Sequence, residues 1–86
     1  MAKFIIAGIR DELAGENGEF KTPMVLSSYQ EAERIFAHLV NSDELWRDNA
    51  SDFSLWKLGE FDTNTGKIVS DPVKGVTGHT VLRKEN

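Results

Sequence analysis

DFSLWKLGEFDTNTGKIV, residues 52–69, is the stretch of this sequence that decides its fold. It predicts a strand, a tight polar turn at residues 62–66 and a returning strand. Leu55, Trp56 and Phe61 favour β-structure through their bulk. Successive side chains of a strand point to opposite faces of its sheet, so these apolar residues predict a sheet that needs cover on both faces. A chain of 86 residues has little material for two covering layers.

Two further strands are predicted ahead of this hairpin. Residues 3–10 form the first, with apolar side chains pointing to both faces, and a loop containing two glycines follows it. Residues 20–26 return along the first strand. Pro23 lies inside this second strand and has no backbone N–H to donate, so the strand is expected at an edge of the sheet or interrupted.

A helix is predicted between the two pairs of strands. Ser28 fits the N-cap and Glu31 the third helical position of a capping box, with Ser27 and Gln30 as an alternative register. The helix is expected to end near Asn41. The apolar residues between recur at helical spacing and form one stripe: Ala32, Ile35, Phe36, Leu39 and Val40.

The element order β-β-α-β-β predicts an α+β fold, a small antiparallel sheet with one helix packed on one face. We expect a single domain over residues 1–73. Residues 74–86 are expected to be a tail that is either flexible or adds an edge strand to a partner. Because one helix covers one face, the opposite face keeps apolar side chains that need another molecule.

Composition limits the classes of partner. The net charge of −4 argues against coating duplex DNA by bulk charge. It leaves single strands open, because aromatic stacking there shares the work with a local basic groove. The chain has no cysteine, which fits a reducing cytoplasm. No apolar run approaches the roughly 18–20 residues of a membrane span.

The sequence shows no arrangement typical of catalysis or of metal binding. Its two histidines, His38 and His79, lack a third ligand at a spacing that suits zinc. Residues 62–66 look like the start of a calcium loop, but the glycine comes one position early and Val73 stands where a bidentate glutamate belongs. The carboxylates show no spacing of a paired acid and base. We therefore expect a non-enzymatic protein without a metal or cofactor.

Four pieces of the chain carry a resemblance to a known family. They are Arg10-Asp11 at the end of the first strand, Thr22-Pro23-Met24, the helix pattern AERIF at residues 32–36, and the block at residues 52–68 with its turn glycine. Together they resemble the small nonstructural protein of gokushovirus-type microviruses, tailless phages with circular single-stranded DNA. The resemblance covers residues 3–69.

This resemblance implies a phage protein in the bacterial host cytoplasm that is not a main capsid component. It implies a role in viral single-stranded DNA synthesis or in coupling that synthesis to packaging. It supplies no catalytic residues.

Two hypotheses about function remain open. In the first, the face opposite the helix binds single-stranded DNA through basic and aromatic side chains. The residues expected to form or border that site are Lys3, Arg10, Trp46, Phe53, Lys57, Phe61 and Lys67. Trp46 has two alternative roles, as a lid on the core or as a self-association contact.

In the second hypothesis the same face is a homodimer interface, and the protein contacts a viral or host protein. Ile5, Ala7 and Leu55 are its expected interface residues. The apolar content of the strands and the acidic net charge favour this reading. Both hypotheses hold together if a dimer presents a DNA-binding groove at its edges.

Overall fold

The computed structural model describes residues 3–83 and shows an α+β fold. Four strands form one antiparallel sheet in the order β2-β1-β3-β4, and a long helix packs on it. The predicted fold class is therefore confirmed. The elements in chain order are β1 (Lys3–Asp11), β2 (Glu19–Leu26), α1 (Tyr29–Ser42), α2 (Glu44–Asp48), a 3₁₀ turn (Ala50–Asp52), β3 (Phe53–Asp62), β4 (Ile68–Thr77) and α3 (Gly78–Val81).

The ends of α1 are set by local hydrogen bonds. Ser28 is the N-cap, and its Oγ accepts from the backbone N–H of Glu31 at 3.3 Å. Ser27 Oγ donates to the Glu31 carboxylate at 2.7 Å, which ties the chain entering the helix. Asp43 closes α1 through its N–H to Leu39 O and caps α2 through its carboxylate. The predicted N-cap at Ser28 is confirmed, whereas the Glu31 carboxylate accepts from the Ser27 hydroxyl.

The core lies between α1 and one face of the sheet. Ala32, Phe36 and Val40 of the predicted stripe have no exposed surface, and they pack with Ile9 and Leu55 of the two central strands. Excluding these side chains from water is the main favourable contribution to folding. The predicted apolar stripe of the helix is confirmed as its core face.

A stacked aromatic pair closes one end of this core. The rings of Trp46 and Phe53 lie parallel, with their centroids 4.4 Å apart and 2° between their planes. Phe53 is 8% exposed, and Trp46 covers it from α2. Of the three roles left open for Trp46, the structure shows the lid on the core.

The strand register shows which side chains share a face of the sheet. Paired residues on neighbouring antiparallel strands point to the same side. Ile9 pairs with Leu55, and both are buried under α1. Gly8 pairs with Trp56, so these two residues face away from α1. We call the surface facing away from α1 the open face, and the surface that carries α1 the helix side.

A β-bulge in β3 changes the alternation of its side chains. Ile6 pairs with Gly59 and Ala7 pairs with Lys57, so Leu58 is an extra residue in β3. Beyond the bulge, each residue of β3 lies on the face opposite to the one that a regular strand would give it. The hydrophobic pattern of the sequence does not show this change of face.

The edge strand β2 is irregular at its proline, as predicted. Its register with β1 shifts between the partners Met24 and Lys21, so the irregularity includes Pro23. Thr22 has a φ of 52°. A β-branched residue rarely adopts this left-handed conformation, because its side chain crowds the backbone. The strain is of the order of 1–3 kcal/mol.

Thr22→Gly is expected to raise the free energy of unfolding by about 1 kcal/mol, because glycine adopts a positive φ without strain and loses part of the gain to backbone entropy. Thermal or urea unfolding measures the change. Thr22→Val is the control, since it keeps the β-branched strain and should gain nothing. A glycine variant no more stable than the valine variant contradicts the strain at Thr22.

The molecule is flat and elongated. The extents are 46 × 32 × 16 Å, so the short dimension is about that of one sheet and one helix.

Gly66 in the turn between β3 and β4 has a φ of 76°, and its N–H donates to Asp62 O at 2.8 Å. The predicted turn at residues 62–66 is confirmed. β4 is an edge strand, and its register with β3 shifts around Pro72, which has no backbone N–H to donate.

The C-terminal part differs from the expectation of a separate tail after residue 73. β4 continues through Thr77 in the chain's own sheet, and α3 follows. Val81 and Leu82 pack against the core. The buried side chain of Asn41 donates to Val81 O at 3.0 Å and accepts from the Arg83 N–H at 2.7 Å. The remainder of the expected tail, residues 84–86, lies outside the described residues.

Candidate nucleic-acid interface on the open sheet face

The open face carries large apolar and aromatic side chains from all four strands. The strand register shows on which face most side chains lie. Leu58 is assigned to the open face because a Cβ on Gly8, which would point to that face, would contact the Leu58 side chain. Its residues include Phe4, Ile6 and Arg10 of β1, Phe20 and Val25 of β2, Ser54, Trp56, Leu58 and Phe61 of β3, and Ile68 and Lys74 of β4.

Several of these apolar side chains are open to solvent. Phe4 is 37% exposed, Phe20 42%, Val25 56% and Ile68 63%. The solvated face of an antiparallel sheet is normally polar. A contiguous apolar surface on a soluble protein typically marks an interaction site. The open face is therefore the candidate functional site of this chain.

The aromatic centre of the open face is a well-defined cluster. Phe20 and Trp56 meet edge to face, with ring centroids 5.3 Å apart and 86° between the planes. The Arg10 guanidinium carbon lies 5.0 Å from the Phe20 centroid, which is a cation–π distance. Gly8 makes room for this cluster, because a Cβ there would lie 2.8 Å from a methyl carbon of Leu58.

A chain of polar contacts holds Trp56 and Arg10 in place. Trp56 Nε1 donates to Ser54 Oγ at 2.9 Å, and Ser54 Oγ donates to Glu12 Oε1 at 3.1 Å. Glu12 Oε1 is also 2.9 Å from Arg10 Nε. Arg10 further donates to the backbone carbonyl of Asn17 in the β1–β2 loop. Glu12 thus offsets part of the positive charge of Arg10, and the network holds the Trp56 ring and the Arg10 guanidinium on either side of it.

Two of the residues predicted for a DNA site lie on the open face. These are Arg10 and Phe61, the latter because of the bulge at Leu58. Trp46 lies on α2, against the core. The assignment of a nucleic-acid role to any of these residues stays a prediction.

The predicted placement of the lysines and of Phe53 is wrong. Lys3 pairs with Asp62, and Lys57 pairs with Ala7, so both lysines lie on the helix side. Lys57 is 3.6 Å from Glu60. Lys67 lines a shallow depression with Lys3, Glu60 and Asp62 on that same side. Phe53 is in the core beneath Trp46. Carboxylates therefore accompany these lysines, away from the aromatic centre.

The residues predicted for a dimer interface also lie on the helix side. Ala7 and Leu55 have no exposed surface because α1 covers them. Ile5 is half-buried on that side and pairs with Leu26 and Glu60. Burial of Ala7 and Leu55 removes them from any surface where a second chain docks.

Sequence reasoning missed most of the open face. None of Phe4, Phe20, Val25 and Ile68 was among the predicted site residues. A usable signal was Gly8. Its neighbours on the same side of β1, Phe4, Ile6 and Arg10, are all large, and Gly8 alone is small. A glycine there indicates that side chains from neighbouring strands crowd over it.

Other kinds of site gain no support from the described part of the chain. Residues 3–83 contain no group of three or more histidine, cysteine or acidic side chains arranged to hold a metal ion. Within the same residues no helix is long and apolar enough to cross a membrane.

The fold and the open face define a class of small α+β protein whose sheet is covered by a helix on one side and presents aromatic rings on the other. Within this class, the chain belongs to the Phage ORF5 protein family, whose model matches residues 4–81. It is therefore a bacteriophage protein, and the match includes all of the strands and helices described above except Lys3. Comparisons with curated proteins and with solved structures gave no match.

Proposed function

We propose that this phage protein is a non-enzymatic accessory protein that binds single-stranded DNA on its open face. In this proposal it acts in the bacterial host cytoplasm, in the genome synthesis of a gokushovirus-type phage or in coupling that synthesis to packaging. The observation that carries the proposal is the exposed aromatic centre of Phe20 and Trp56 with Arg10 beside it.

The chemistry of this centre suits unpaired bases. Every base has a π-face, and stacking on an aromatic side chain contributes about 1–3 kcal/mol per base without regard to sequence. Phe4 and Phe61 pair across the neighbouring strands at the other end of the open face and add further rings. The bases of a single strand can turn outward and reach such rings on an open antiparallel sheet, whereas the bases of a duplex stay stacked on each other.

The charge distribution supports the same choice of ligand. Arg10 and Lys74 lie on the open face, with Lys74 opposite Trp56. Glu60 and Asp62 lie on the helix side, whereas Glu12 is paired with Arg10. With few phosphate-binding cations available, affinity rests mainly on stacking, and the salt dependence is expected to be modest.

Phe20→Ala is expected to weaken binding of oligo-dT at low salt by roughly 5- to 150-fold, which corresponds to the loss of one stacked base. Fluorescence anisotropy of a labelled oligonucleotide measures the effect. Phe20→Tyr keeps the ring and should bind like the wild type. Leu45→Ala, at a 68% exposed site on α2, controls for a general loss of surface. A wild-type protein without affinity for oligo-dT, or an alanine variant that binds equally well, removes this proposal.

The alternative function is an interaction module that contacts a viral or host protein through the same face. The observation that favours it is the exposure of the aliphatic side chains Val25 and Ile68, which base stacking does not require. Dimerisation without any binding of oligo-dT, RNA or duplex probes is the result expected for this alternative.

A further inference from the structure

We infer that Glu12 is an internal competitor for the phosphate groups that the proposed function brings to Arg10. In the unbound protein the Glu12 carboxylate occupies the Arg10 guanidinium, and a phosphate oxygen of the nucleic acid takes its place on binding. Glu12 therefore controls how much of the affinity comes from phosphate charge. This inference rests on the proposed function and adds a regulating residue to the same site.

Contacts of both its backbone and its side chain hold Glu12 beside Arg10. The Glu12 N–H donates to Asp52 O at 2.8 Å, which ties the residue after β1 to the residue before β3. Its Oε1 lies 2.9 Å from Arg10 Nε and accepts from Ser54 Oγ at 3.1 Å. Because the backbone and the carboxylate are both held, the negative charge stays at the guanidinium until another anion replaces it.

The hydrogen-bond chain that ends at Glu12 needs an acceptor there but not a charge. Trp56 Nε1 donates to Ser54 Oγ at 2.9 Å, and Ser54, which is only 1% exposed, donates onward to Glu12. A carboxylate accepts hydrogen bonds, and the amide oxygen of glutamine accepts from the same donors. Glu12→Gln therefore removes the charge and keeps the acceptor at the end of the chain. The effect of the charge can thus be measured apart from the effect of the contacts.

Arg10 and Glu12 are both accessible enough for a phosphate to reach them. Their side chains are 23% and 37% exposed. Arg10 also donates to the backbone carbonyl of Asn17, which holds the guanidinium near Phe20 when the carboxylate leaves. A guanidinium has five N–H donors in a planar fork that fits carboxylate and phosphate alike. Because an ion pair at a partly exposed site is weak, a phosphate can replace the carboxylate.

The displaced carboxylate lowers the gain from this exchange. Glu12 stays close to Arg10, because its backbone remains bonded to Asp52. A phosphate bound at Arg10 therefore meets a negative charge nearby, and the repulsion offsets part of the attraction. In the wild type the phosphate is thus only partly neutralised, and few counterions are released from the DNA. This explains an affinity that rests on stacking and depends little on salt.

Glu12→Gln is expected to tighten binding of oligo-dT at low salt by about 3- to 10-fold. It should also steepen the slope of log affinity against log salt by about 0.7, the value for one further phosphate contact on a single strand. Fluorescence anisotropy over a salt series measures both. Glu60→Gln is the matched control, because it makes the same change in net charge on the helix side, where Glu60 is 3.6 Å from Lys57. It should change the affinity less than about twofold.

Two further variants test whether the effect depends on Arg10. In an Arg10→Gln background, Glu12→Gln should change the affinity for oligo-dT less than about twofold, since no guanidinium remains to be released. Glu12→Asp keeps the negative charge and should keep the salt slope of the wild type. A gain that persists without Arg10 places the competing charge elsewhere and overturns the inference. Circular dichroism checks that each variant folds, and Glu12→Ala replaces Glu12→Gln if the latter does not.

Inorganic polyphosphate separates this inference from the proposed function, because it offers phosphate without bases. Glu12→Gln should bind polyphosphate at least about threefold more tightly than Glu60→Gln at low salt. If this difference is found but neither the wild type nor any variant binds oligo-dT, Glu12 masks Arg10 and only the proposed function is removed. A Glu12→Gln variant that matches Glu60→Gln with both probes overturns the inference, and the proposed function stands wherever the wild type binds oligo-dT.

Discussion

Phe36→Ala is expected to lower the free energy of unfolding by about 3–5 kcal/mol, the largest effect of any single truncation in the core. Phe36 is fully buried at the centre of α1, where it packs between Ala32, Val40 and the two central strands. Removing the ring forfeits its transfer free energy and leaves a cavity that the rigid sheet cannot close. Urea unfolding followed by circular dichroism measures the loss.

The size of this effect matters because the domain is small. A chain of 86 residues has a total stability of roughly 4–13 kcal/mol, so the variant is expected to be partly unfolded at 37 °C. Leu45→Ala, at an exposed site on α2, should change the stability by less than about 0.5 kcal/mol. A loss at Phe36 no larger than the loss at Leu45 would show that α1 does not pack as described.

Local patterns in the sequence predicted the elements of this fold well. The capping box at Ser28 and the apolar stripe through Phe36 and Val40 predicted α1, because both depend on residues within a few positions of each other. The turn at Gly66 depends on one backbone conformation that glycine favours. Each of these features depends on a short segment, so it can be predicted without knowledge of the rest of the chain.

The choice of the covered face was not predictable in the same way. Alternation places Ile5, Ala7 and Ile9 on one side of β1 and Phe4 and Ile6 on the other, and both sets are apolar. The pattern therefore tells which residues share a face but not which face α1 covers. The sequence prediction put the helix on the wrong face, and with it placed Leu55 and Ala7 in an interface although both are buried.

The bulge at Leu58 had a second effect on the predicted site. It brings Phe61 to the open face although Phe61 has the same parity as the buried Phe53 and Leu55. A bulge depends on pairing between strands that are distant in the chain, so a single strand's pattern carries no sign of it. As a result, only Arg10 and Phe61 of the predicted DNA-site residues lie beside the exposed aromatic rings.

Gly75→Ala is expected to lower the free energy of unfolding by about 3 kcal/mol, the effect of overpacking a tight contact. A Cβ at Gly75 would lie 1.6 Å from Tyr29 Oη and 2.9 Å from Leu55 O. Tyr29 starts α1, so this contact joins the end of β4 to the helix. Burial, and then the charge of Glu33, raise the pKa of Tyr29, which fits a hydroxyl enclosed at this junction. Thermal unfolding of the variant measures the loss.

The double variant Tyr29→Phe with Gly75→Ala identifies the cause of this loss. Removing the hydroxyl relieves the shortest contact, so the double variant should regain about 1–2 kcal/mol relative to Gly75→Ala alone. Recovery stays incomplete, because Leu55 O is part of the backbone and the ring carbon that bears the hydroxyl is also 2.9 Å from the added Cβ. If instead the two substitutions are simply additive, Tyr29 does not enclose Gly75. The C-terminal half of β4 would then lack one of its contacts with α1, and its place in the domain would rest on sheet pairing and on the contacts of Val81 and Asn41.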